Sequence, residues 1–163
     1  MTGGSSCMKA SPSRSIFWLA HHIRLVLMTA FGSPVAPEGL TEVLVQLRDR
    51  YGDRLPPVHV TESGCSTDDV VEDGTVHDEA RIRYLDRHLE AVAAAIDAGV
   101  DVRGYFVWSL LDNFEWAFGY DRRFGITHVD FASQERTVKD SGRWYSELVR
   151  AHQAQRPAAA QAE

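Results

Sequence analysis

From Pro34 onward, the apolar positions fall into two alternating rhythms. Leu40, Val43, Leu44 and Leu47 recur at helical spacing behind Pro37, and Gly52 stands where such a helix ends. Pro56-Pro57 stops it, and Val58-His59-Val60-Thr61 then reads as a short strand running into Glu62-Ser63-Gly64. A polar loop, Cys65 to His77, leads to Asp78, a suitable N-cap for a second helix from Glu79 to about Ala98. In that helix Ile82, Leu85, Leu89, Val92 and Ile96 repeat every three or four residues, and Gly99 closes it. Gly104 to Ser109 (GYFVWS) is apolar on both faces, as expected of a parallel strand covered on both sides. Ile126 to Phe131 predicts a short irregular strand, and Asp140 or Ser141 caps a last helix carrying Trp144, Tyr145, Leu148 and Val149. The tail from Gln153 is rich in Ala and Gln and is expected to fray. Helix, strand, helix, strand, helix is an α/β order with a parallel pair joined by a helical crossover.

The first 31 residues break this rhythm. Met1 to Ser15 is rich in Ser and Gly and reads as disordered. Ile16 to Met28 is apolar but carries His21, His22 and Arg24, so it is too short and too polar to span a bilayer. Lys9 and Arg14 precede it as in a secretory signal, yet the His-His-Ile-Arg interruption splits the apolar run and no small-residue cleavage site follows. Adjacent histidines do not share a helix face, so His21-His22 reads as local structure rather than a metal site.

Composition narrows the functional classes. Of 163 residues, 17 are Lys or Arg and 23 are Asp or Glu, a net charge of -6 that disfavours non-specific nucleic-acid binding. The most basic run, Arg81 to Arg87, is broken by Asp86 and apolar residues and reads as a solvated helix face. Two cysteines, Cys7 and Cys65, make no disulfide framework. There is neither zinc-type Cys/His spacing nor a phosphate-binding Gly-rich loop, so no metal or organic cofactor is expected. Without a firm targeting signal, the expected location is the cytoplasm, with no membrane partner.

The chemistry-bearing residues gather at strand ends. Glu62 closes the first strand; Trp108, Asp112, Asn113, Glu115 and Trp116 lie at or just past the end of the second. Ligands of parallel α/β folds bind at strand carboxyl ends. Aromatic faces beside carboxylates suit a sugar, whose C–H face stacks while its hydroxyls donate. Carboxylates at strand ends are also common for structural reasons, and Trp-rich stretches are commonly core; Asp112 reads as a capping residue that fixes its loop.

Thr61-Glu62-Ser63-Gly64, followed by the thirteen residues Gly104 to Trp116 (GYFVWSLLDNFEW), closely resembles the glycoside hydrolase family 1 β-glucosidases. So do Phe124-Gly125-Ile126 with Val129-Asp130, Lys139-Asp140-Ser141 leading to Trp144-Tyr145, and Val35 to Leu40 (VAPEGL). The resemblance runs from about residue 32 to 152. It implies the C-terminal part of a (β/α)8 barrel, about strands seven and eight with flanking helices, in an incomplete barrel. It implies retaining hydrolysis of β-linked glucosides, in which one carboxylate attacks the anomeric carbon and another protonates the leaving group. Glu62 would be the nucleophile, Glu115 would bind sugar hydroxyls, Trp116 would donate its indole N–H, Trp108 would form the stacking floor and Phe124 would line the site.

Three departures from the family pattern bear on this. Ser63 stands where the motif has Asn, a residue of longer reach offering both a donor and an acceptor. Ser33 precedes Pro34 where the family has Trp. The acid/base glutamate of the family's Asn-Glu-Pro motif is absent, as are the first-strand Gln and His and the sixth-strand Tyr; a whole barrel takes about 250 residues. The expectation is a chain inactive in isolation, a truncated fragment with residual sugar binding, or a piece completed by a missing N-terminal barrel portion. Aglycone preference, and glucoside against galactoside or fucoside, stay open.

Overall fold

A computed structural model describes Gly32 and residues 34–155. The segment 1–31, with His21-His22, lies outside the described residues, as does the tail beyond Gln155. Helix α1, Pro37–Tyr51, opens with Pro37 at its first turn and Glu38 beside it, and carries Arg48 and Arg50 in its last, each charge matched to the helix dipole. Strand β1, Val58–Ser63, follows. Helix α2, Glu79–Asp97, crosses over to β4, Val102–Val107, which pairs parallel with β1. Two short antiparallel hairpins complete the order: β2, Val71–Glu72, with β3, Thr75–Val76, and β5, Thr127–Val129, with β6, Arg136–Val138. Helix α3, Asp140–Gln155, ends the described chain, running past the Gln153 at which the tail was expected to begin.

The core lies between the helices and one face of the β1–β4 pair. Leu44, Val92, Ala95 and Val100 are buried together, with Leu40, Val45, Val58, Val60, Val102 and Tyr105 packed against them. Val43 and Ile96, expected on the buried faces, are exposed. The opposite face of the pair carries Phe106, an exposed aromatic. Among the described residues the β1–β4 sheet has two strands, so no closed barrel is present. Beyond β4, Leu110 and Phe114 are also exposed.

Four expectations are corrected. The loop 65–77 contains the β2–β3 hairpin, turned at Asp73-Gly74 with φ of 49° and 76°. Asp-Gly is the pair that such a turn favours, because both positions need positive φ. The second strand begins at Val102, two residues before the expected Gly104, because Val58 pairs with Val102. The strand predicted at Ile126–Phe131 is shorter, and β6 pairs with it. Asp78 occupies the N-cap of α2 but makes no side-chain cap bond there. Its carboxylate instead accepts from the Ser141 amide at 2.8 Å and the Ser141 hydroxyl at 2.5 Å, so it caps α3.

Arg81 is a further correction. It was grouped with a solvated helix face, yet its side chain is wholly buried. Burying a guanidinium is tolerable only when it is paired and hydrogen-bonded. Here it pairs with Asp78 and with Asp69 Oδ2 at 3.2 Å, and donates to the Arg123 carbonyl at 2.7 Å.

Candidate active site

Glu62 sits at the irregular end of β1. Val60 pairs with Tyr105 and Ser63 with Val107, so three steps along β1 match two along β4. Thr61 and Glu62 occupy this bulge and are exposed, while Ser63 is buried on the helix side. A bulge beside a site re-aims a side chain. The Trp108 amide donates to the Ser63 carbonyl at 2.9 Å, which brings Trp108 against the end of β1. The approach leaves no room for a side chain at Gly64, where a Cβ would lie 1.7 Å from the Trp108 carbonyl oxygen. The Trp108–Ser109 peptide is cis.

Phe124 joins the same end. Ser109 N donates to the Phe124 carbonyl at 3.1 Å, and Ile126 N to the Ser109 carbonyl at 2.8 Å. Glu62, Trp108 and Phe124 therefore surround one strand end. Glu115 and Trp116 lie farther along the chain in a tight turn, where Glu115 N donates to the Gly119 carbonyl at 2.6 Å and Phe118 N to the Glu115 carbonyl at 2.8 Å. No ion pair or hydrogen bond joins Glu62 to Glu115 among the described residues. Glu115 Oε2 is buried with no hydrogen-bond partner among them. Trp116 is 82% exposed and Trp108 37%, so neither indole is core.

A buried chain of charges ties the two strand-end loops together. Lys139 Nζ pairs with Asp69, in the loop after β1, and with Asp112 Oδ1 at 2.9 Å, in the loop after β4. Asp112 also accepts from Arg123 at 2.9 Å, from Gly125 N at 2.9 Å and from Val129 N at 3.3 Å. Three carboxylates (Asp69, Asp78, Asp112) thus meet three cations (Arg81, Arg123, Lys139). Burial works to raise the Asp69 pKa, but Arg81 and Lys139 outweigh it and hold that carboxyl below its ordinary value. Burial, with Arg81 nearby, pulls Lys139 below the ordinary lysine value against its two carboxylates. Desolvation pushes the Cys65 thiol up to about 11, so that cysteine is a buried, unreactive neighbour of the network. The sequence reading caught Asp112 as a loop-fixing residue and missed Asp69, Arg81 and Lys139 as its partners. Lys139 opens the Lys139-Asp140-Ser141 motif, yet nothing in its spacing shows that a lysine so placed is buried.

The family model for glycosyl hydrolase family 1 matches residues 13–154, beginning upstream of the motifs that carry the resemblance. The chain belongs to that family. β-Glucosidase A of Thermotoga maritima is 53% identical over 123 residues, covering 75% of this chain and 27% of the relative. A bifunctional β-D-glucosidase/β-D-fucosidase of Bifidobacterium breve is 54% identical over 131 residues, covering 77% of this chain and 28% of the relative. Among solved structures, the family 1 β-glucosidase of Exiguobacterium antarcticum B7 superposes with a TM-score of 0.77 at 45% identity, over 81% of this chain and 29% of that one. A Thermotoga maritima β-glucosidase in complex with glucoimidazole gives 0.74 at 51% identity, over 77% and 28%. The chain therefore spans little more than a quarter of the length of these relatives. The two parallel strands and their helices correspond to part of a barrel of this family. Among the described residues, no helix is long and apolar enough to cross a membrane.

Proposed function

We propose that this chain carries the nucleophile side of a retaining β-glucosidase site, with Glu62 attacking the anomeric carbon of a β-glucoside. The observation that supports this best is the position of Glu62: in a bulge at the carboxyl end of a parallel strand, beside Trp108, within a motif shared with family 1 enzymes. Glu115 would accept hydrogen bonds from sugar hydroxyls, Trp116 would donate its N–H, Trp108 would floor the sugar and Phe124 would line the cavity.

The acid/base carboxylate is not among these residues, so it must come from further barrel strands, on a longer polypeptide or on a separate chain. General acid–base assistance is worth about 10²–10⁴-fold, and an open scaffold positions the sugar poorly. The 163 residues alone are therefore expected to leave nitrophenyl β-glucoside intact. The strand edges left unpaired among the described residues and the exposed Phe106, Leu110 and Phe114 favour contact with those further strands.

The test mixes the full chain with the part of the Thermotoga maritima enzyme that it does not cover. Turnover in the mixture, lost in Glu62→Gln, is the expected result; turnover indifferent to that change sinks the reading. A second reading, sugar binding without catalysis, is favoured by the exposed indoles of Trp108 and Trp116. Glucose titration against tryptophan emission tests it, and an unchanged spectrum at millimolar sugar counts against it.

A further inference from the structure

The bulge that presents Glu62 has no complete ladder to hold it. Between the Val60–Tyr105 and Ser63–Val107 pairs, one residue of β1 is left without a counterpart on β4. A side-chain contact spans this gap. The Tyr105 hydroxyl donates to Ser63 Oγ at 2.8 Å, joining the residue before the gap on β4 to the residue after it on β1. The Tyr145 hydroxyl of α3 donates in turn to the Tyr105 carbonyl at 3.1 Å. Ser63 is thus pinned from β4, and it is buried while its neighbour Glu62 is exposed.

We infer that the Tyr105–Ser63 hydroxyl pair is a positioning clamp for Glu62, fixing the rotation of the bulged strand end and so the direction of the carboxylate. Ser63 is buried and Tyr105 packs against the core, so they act through the backbone of the neighbouring residue. Successive strand residues point to opposite faces, so a twist that releases Ser63 from the helix side swings Glu62 by a similar angle. The inference rests on the reading of Glu62 as nucleophile, and deepens it.

The test uses 2,4-dinitrophenyl 2-deoxy-2-fluoro-β-glucoside, whose leaving group departs without protonation. Attack by the Glu62 carboxylate forms the ester bond at the anomeric carbon and expels dinitrophenolate with the bonding electron pair. Labelling is followed by intact mass in the same two-piece mixture. Tyr105→Phe and Ser63→Ala should each lower the labelling rate constant by about tenfold or more, while the inactivator's binding constant stays within about twofold. The double variant should be no worse than the poorer single one, and Ser63→Thr, which keeps the hydroxyl, should restore the rate to within about threefold. Equal rate constants in Tyr105→Phe and the unaltered chain overturn the clamp. If the unaltered mixture is not labelled, the nucleophile reading fails instead, and amide exchange of the full chain alone decides the clamp. Faster exchange at the Trp108 amide in Tyr105→Phe, with distant α1 amides unchanged, supports it; identical exchange overturns it.

Discussion

Lys139 holds two carboxylates from different loops, and no other residue of the buried network bridges those two. Its removal leaves Asp69 and Asp112 facing one another with Arg81 and Arg123 as their remaining cations. Replacing a buried ion network wholesale by apolar residues can be neutral, but deleting one partner strands the others without water. Lys139→Met should therefore destabilise the chain by about 3–5 kcal/mol, read as a lower urea midpoint with an unchanged slope. Surface pairs such as Arg83–Glu79 and Arg103–Asp101 are exposed to solvent on both sides. Their removal should move the midpoint far less. The contrast between Lys139 and these surface pairs separates loss of the network from loss of charge in general.

At the scale of elements, the helices and the parallel pair were legible because their signals are local: Pro37 and Gly52 bracket α1, and the apolar run GYFVWS marks β4. The β2–β3 hairpin is not in the sequence reading, because the polar composition of residues 65–77 hid the Asp73-Gly74 turn that marks it. Asp78 shows what local reading misses. Its sequence position marks the start of α2, while its carboxylate serves α3, 63 residues away, because the tertiary fold brings the two helix starts together. The burial of Arg81 is illegible for the same reason, since its partners come from other elements. Of the candidate site, the motifs point to Glu62, Trp108 and Phe124, but the bulge that holds Glu62 comes from strand register and has no local signature. That register depends on close approach at Gly64. Gly64→Ala forces a Cβ against the Trp108 carbonyl, and must part β1 from the end of β4. Overpacking of this kind costs about 1–3 kcal/mol, occasionally more. The measurement is a thermal melt, with the Trp108 amide losing exchange protection before the α1 amides do.

Across the whole molecule, stability on the acid side of neutrality is tied to groups that fold into their less protonated form. His88 is buried in α2, its Nδ1 lies 2.7 Å from the Tyr84 carbonyl and its ring stacks on Tyr84 at 3.9 Å between centroids. Burial pulls its pKa below the ordinary 6.5, and the bond to the Tyr84 carbonyl only partly opposes this. The unfolded chain therefore takes up that proton first as pH falls. Stability is full above about 6.5 and declines as pH drops from there toward the folded value. Asp69 acts in the same direction in a lower window: its carboxyl is held below the ordinary 3.8, so its contribution is present above that value and is lost as pH falls through the folded one. The two windows are separable, because the upper belongs to neutral rings, His128 as well as His88 being held below the ordinary value chiefly by burial, and the lower to an ion network. Urea midpoints should fall between pH 7 and pH 5, and His88→Gln should flatten that decline while leaving the steeper loss below pH 4 in place. Equal slopes between pH 7 and pH 5 in both chains would assign the upper window to other groups. Loss of the lower window on His88→Gln would mean that the ring and the network unfold as one unit.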